Sequence, residues 1–87
     1  MNHKFNLDQP SYYKICVQGK LEARWAEFFE DMQIEVNQAP GKVPVTVLTG
    51  SLPDQAAVQG VLQKLYNLGF PLLSVEKLDP DSARPCE

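Results

Sequence analysis

Histidine is nearly missing from this chain. Its single copy, His3, lies ahead of the first patterned segment. A histidine-based triad, a general-base histidine on the folded part or a multi-histidine metal site therefore has no residues to draw on. Cysteine is as scarce. Cys16 and Cys86 show no CxxC or Cys–His spacing of a zinc or iron–sulfur centre. One reads as a small strand residue and the other as a free thiol near the end. No GxGxxG or Walker sequence follows a predicted strand. No run approaches the ~18–20 apolar residues of a membrane span, and MNHKFNLDQP lacks the apolar stretch of a signal peptide. The expectation is a cytoplasmic protein with no membrane partner. Positive charge is thin as well: eight Lys and Arg, scattered singly, against eleven Asp and Glu leave a net charge of −3. Nucleic-acid binding draws most of its affinity from a basic face that neutralises phosphates, so no nucleic-acid partner is expected. No residue is assigned to catalysis, to a cofactor or to a metal, and no cofactor is expected.

What is present is the composition of one folded domain. Apolar residues make up 44% of the chain and charged residues 22%, enough for a single thin core at this length. Residues 1–11 are polar apart from Phe5 and Leu7 and read as a flexible arm, which Phe5 could clip onto the domain. Tyr12 to Gln18 alternates Tyr13, Ile15 and Val17 with Tyr12, Lys14, Cys16 and Gln18, the period of a strand with one buried face. Gly19 ends it. Leu21, Trp25, Phe28, Phe29 and Met32 then recur on one helical face, predicting a helix over Leu21–Met32 whose rings cover a sheet. A short second strand carries Ile34 and Val36, and the turn NQAPGK leads to a third over Val43–Thr49. The apolar run Val43, Val45, Val47, Leu48 leaves the phase of that strand open: Val45 and Val47 face the helices with Leu48 on the reverse, or the other way about. Ser51 and Asp54 sit at capping-box spacing before a second helix with Val58, Val61, Leu62, Leu65 and Leu68 as its stripe. Gly60 within it implies a close approach to the sheet or the other helix. Gly69 is a stop with Phe70 placed to fold back on the last turn. Leu72–Leu78 is the fourth strand, and 79–87 reads as a disordered tail.

Strand, helix, strand, strand, helix, strand predicts an α+β chain: a ferredoxin-like βαββαβ sandwich at 12–78, with a four-stranded antiparallel sheet and both helices on one face. The first and third strands become central neighbours. The other sheet face is then uncovered, and the expectation is that it presents Tyr12, Lys14 and Cys16, joined by Thr46 and Leu48 from the third strand and by Leu72 and Ser74 from the fourth. An exposed patch of partly apolar character marks a candidate partner interface. Two strand-to-helix turns, at Gly19 and at Gly50, Ser51 and Asp54, are candidate ligand positions, since backbone amides there can meet an anion. Glu27, Glu30 and Asp31 read as the solvated side of the first helix.

The segments YYKICVQGKLEARWAEFF and LTGSLPDQAAVQGVLQKLYNLGFPLLSVEKL resemble a group of small uncharacterised bacterial proteins, also common in cyanobacteria, and the resemblance implies a ferredoxin-like domain without importing an activity. The leading expectation is a non-enzymatic module that self-associates, as a homodimer, or docks a protein partner. The alternative is a small-metabolite sensor similar to an ACT domain. The third is a cofactor-independent enzyme of the small dimeric monooxygenase type, its pocket lined by Trp25, Phe28 and Phe29. Those last two likenesses rest on topology alone.

Overall fold

The computed structural model describes residues 10–78; the expected tail at 79–87 and residues 1–9 of the expected arm, with His3, Phe5 and Cys86, lie outside the described residues. The elements run β1 (Ser11–Gln18), a 3-10 helix (Ala23–Phe29), β2 (Gln33–Asn37), β3 (Val45–Leu52), α1 (Gln55–Asn67) and β4 (Leu72–Leu78). The four strands form one open antiparallel sheet in the order β2-β3-β1-β4, and with two helices the chain is of the α+β class. β1 and β3 are the central pair, in register from Ser11↔Leu52 to Gln18↔Val45.

Opposed residues of an antiparallel pair share a face, so the register settles the phase of β3. Ile15 lies opposite Leu48, and Val17 opposite Thr46. All four are fully buried, in or beside a core that takes in Phe29 and Met32 and, from α1, Val58, Val61 and Leu65. Both helices therefore cover the face that carries Leu48. The expectation that Thr46 and Leu48 reach the open face is corrected: both have zero exposure, and Val45 and Val47 point outward instead. Thr46 is polar yet belongs inside. Its hydroxyl donates to the Gly19 carbonyl at 2.6 Å and accepts from the Leu21 amide at 3.0 Å, which pins the turn leaving β1.

The first helix departs most from the pattern. An α-helix over Leu21–Met32 is replaced by a seven-residue 3-10 helix. At three residues per turn, side chains at i and i+3 align. Ala26 and Phe29 form the inward row, whereas Trp25 and Phe28 form the next one, in edge contact at 5.7 Å and facing solvent. Glu30 and Asp31 both adopt φ 58°, and their amides return to the Ala26 carbonyl. Two successive left-handed residues turn the chain straight down into β2, passing Met32 over Gly50. A Cβ at Gly50 would stand 3.2 Å from the Met32 Cα, so the missing side chain sets that crossing.

At α1 the cap is Asp54, whose Oδ1 accepts from the Ala57 amide at 2.8 Å. Ser51, the expected cap, is still in β3, which runs on to Leu52. The end of the helix follows expectation: the Phe70 amide donates to the Leu65 carbonyl and the Gly69 amide to that of Tyr66, with Gly69 left-handed. Leu68, expected in the buried stripe, is exposed. Gly60 has no neighbour within 4 Å of where a Cβ would stand, so no close approach accounts for it.

Candidate interaction surface

The open sheet face keeps Tyr12, Lys14 and Cys16 from β1, and the registers give it four cross-strand rows. Ser51, Tyr12 and Leu78 form one, Gln33, Thr49, Lys14 and Glu76 the next, Glu35, Val47, Cys16 and Ser74 the third, and Asn37, Val45 and Gln18 the fourth. Each row mixes charge, amide or hydroxyl with at most two apolar or thiol groups. The apolar content expected from Leu48 and Leu72 is absent from this face.

Leu72 leaves it because of a local irregularity. The β1–β4 register shifts between Cys16, which opposes Ser74, and Val17, which opposes Leu72. Leu73 is passed over, as at a bulge, and strict alternation fails. Leu72 thereby shares Val17's side, the helix side, and lines a groove of about 460 Å³ with Leu62, Tyr66 and Phe70. The expected placement of Leu72 on the open face is corrected on that ground.

Several exposed apolar side chains lie near this groove, while Tyr12, Trp25, Phe28 and Val43 are exposed elsewhere. Tyr66 is 77% exposed, Leu72 and Leu73 52% each, and Leu68 and Val75 are also exposed. Tyr66 and Leu72 in that groove, with Leu73 and Val75 along β4, form a strip on the α1–β4 flank, at an edge that no other described strand pairs; Leu68 belongs to a separate groove beside Trp25. No pattern of period 2 or 3.6 announces it, since Leu72 and Leu73 are adjacent and Tyr66 falls outside the α1 stripe. The usable signal was the plain excess of leucine around Gly69.

The candidate ligand turns are not brought together. β1 and β3 run in opposite directions, so Gly19 lies beyond one end of the central pair and Gly50, Ser51 and Asp54 towards the other. An eight-residue strand separates them by about 24 Å. Each turn is also filled from within the chain. Gly19, at φ +116°, has the Phe70 ring 2.9 Å from where a Cβ would stand. At the α1 start the Asp54 carboxylate already takes the amide an anion would need. Trp25, Phe28 and Phe29 do not line a common cavity either, because Phe29 is fully buried and the other two rings face outward. Lys64 fixes that outer row: its Nζ donates to the Phe28 carbonyl at 2.7 Å and lies 4.7 Å from the Phe28 ring centre. Beside Trp25 a second, shallower groove of about 290 Å³ is lined by Lys20, Glu22, Arg24, Leu68 and Phe70, with Arg24 paired to Glu22 at 2.7 Å. Among the described residues no three His, Cys, Asp or Glu side chains converge as metal ligands, and no helix is long and apolar enough to cross a membrane.

Residues 12–76, from the first strand to the middle of the last, match a family described as a domain of unknown function, DUF8691. The chain belongs to that family. The DUF8691 match takes in both helices, β2 and β3, most of β1 and β4, and the strip on α1 and β4, so whatever this surface does lies within the family's own domain. No curated protein and no solved structure matches the chain significantly.

Proposed function

We propose that this DUF8691 domain is a non-enzymatic interaction module that self-associates or docks a protein partner through the α1–β4 strip, not through the middle of the open sheet face. One observation carries the reading: Tyr66 and Leu72 line one open groove, and Leu73 and Val75 are exposed along β4, whose outer edge no other described strand pairs. Contiguous exposed apolar surface on a small domain marks an interface, and a free strand edge supplies backbone donors and acceptors for a partner. The order β2-β3-β1-β4, with β1 and β3 central and the helices on one side, supports a ferredoxin-like arrangement as its scaffold.

The test compares the natural chain with a triple variant, Tyr66→Ser, Leu72→Ser and Leu73→Ser. Sedimentation should show mass rising with concentration, or a defined partner bound by calorimetry, in the natural chain only, with thermal unfolding kept cooperative in both. Equal behaviour of the two chains in both assays overturns the proposal.

A further inference from the structure

We propose that the α1–β4 groove is occupied by this chain's own N-terminal segment, through Phe5 and Leu7, which competes there with the partner. This rests on the interaction-module reading above and adds its regulation. The groove lies on the helix side of β4, between Leu72 and the α1 residues Gln59, Leu62 and Tyr66, and none of its lining residues is charged. Val75, opposite Ile15 and so on the same side, is exposed as well. An apolar occupant suits both positions.

The point where the segment joins the domain, and its length, select it. Residues 1–9 lead through Pro10 into β1 at Ser11. At that corner Ser11 pairs with Leu52 of β3 on one side, and Tyr12 with Leu78 of β4 on the other. The β3 side is taken by the connection through Pro53 and Asp54 into α1, whose first residue, Gln55, donates to the Tyr13 hydroxyl. Beyond β4 no described strand follows. Folded back beside β1, a residue a given number of places before Ser11 comes level with the residue as many places after it. Leu7 then stands level with Ile15, and Phe5 with Val17. The β4 partners of those two rows are Val75 and Leu72. Residues two apart share one side of an extended segment, so Phe5 and Leu7 face these rows together while Lys4, Asn6 and Asp8 face water. Six extended residues span about 20 Å, the length of β1 from Ser11 to Val17. The groove reaches back to Gln59, near the start of α1, which leaves length for a reversal at Pro10. Residues 79–87 offer no leucine and no aromatic ring to compete. A separate copy competes poorly too, because a segment on a short tether meets its site at an effective concentration on the order of millimolar.

Nuclear Overhauser contacts in the full chain test the occupancy. The Phe5 ring should show contacts to the Leu62 and Leu72 methyls that do not change on dilution. A Phe5→Ser, Leu7→Ser chain should lose them, shift those methyls and keep cooperative unfolding. With the competitor gone, its self-association or partner affinity should rise several-fold. Absence of the contacts, with the methyls unmoved in the variant, overturns the inference. Contacts seen only between labelled and unlabelled copies in a mixed sample also overturn it, since they seat a second copy in the groove. So does an affinity that the variant leaves unchanged. The module reading fails on different data, the equal association of the natural chain and the serine triple variant, whereas the Phe5 contacts are read in the natural chain alone.

Discussion

Thr46 shows at the scale of one residue how a polar group can define a core. Its hydroxyl answers both the Gly19 carbonyl and the Leu21 amide, so replacing it by an isosteric apolar residue leaves two backbone groups without partners. Thr46→Val should cost about 1–3 kcal/mol in urea denaturation, and Thr46→Ser distinctly less because the oxygen is retained. Glu30 is the opposite case: a residue with a side chain held at φ 58°. Left-handed backbone costs an L-residue roughly 1–2 kcal/mol, and glycine relieves it at the expense of its own chain entropy. Glu30→Gly should therefore stabilise by about 0.5–1 kcal/mol, read as a higher denaturant midpoint at unchanged slope. Neither residue was legible beforehand. Thr46 alternates with valines and a leucine that would suit either face, and nothing in a glutamate announces a positive φ.

At the scale of elements the strands were legible and the helices only in part. Period-2 alternation placed β1, β2 and β4 within a residue of their observed spans; β1 buries one face outright, whereas β2 and β4 at the edges cover theirs only in part. β3 was harder, since apolar residues occupy both of its faces, and its span moved from Val43–Thr49 to Val45–Leu52. The first helix misled for a geometric reason: positions 21, 25, 28, 29 and 32 share a face at 3.6 residues per turn but separate at 3.0. What decides between them is the reversal at Glu30 and Asp31, which has no glycine to reveal it. The capping-box reading put the cap of α1 at Ser51, and the hydrogen bond from the Ala57 amide places it at Asp54. Asp54→Ala should cost about 0.5–2 kcal/mol, whereas Ser51→Ala should stay within about 0.5 kcal/mol. Gly60 has open space where a Cβ would stand, so Gly60→Ala should stabilise by about 0.8–1 kcal/mol, a rise in melting temperature of roughly 4–8 °C for a domain this small.

For the whole molecule, the central pairing of β1 with β3 and the placement of both helices followed from the order of the elements. Candidate site residues fared less well, because a surface is defined by what fails to be buried. Tyr12, Lys14 and Cys16 do lie on the face expected of them; Thr46, Leu48 and Leu72 lie on the other. One shift in the β1–β4 ladder moved Leu72 from the open face of the sheet to its helix side, at the β4 edge. That shift involves a single residue, too local for any periodicity to report.

The pairing of Tyr12 with Leu78 has a topological consequence. The first and last strands enter and leave at the same corner, with Cα atoms about 5 Å apart, so a short glycine-rich splice could join them. A circularly permuted chain opened within the connection 38–44 should fold with an unchanged circular-dichroism spectrum and cooperative melting. By the same geometry the domain can be housed in a surface loop of a host protein, held by two adjacent stems, with the α1–β4 flank still turned outward.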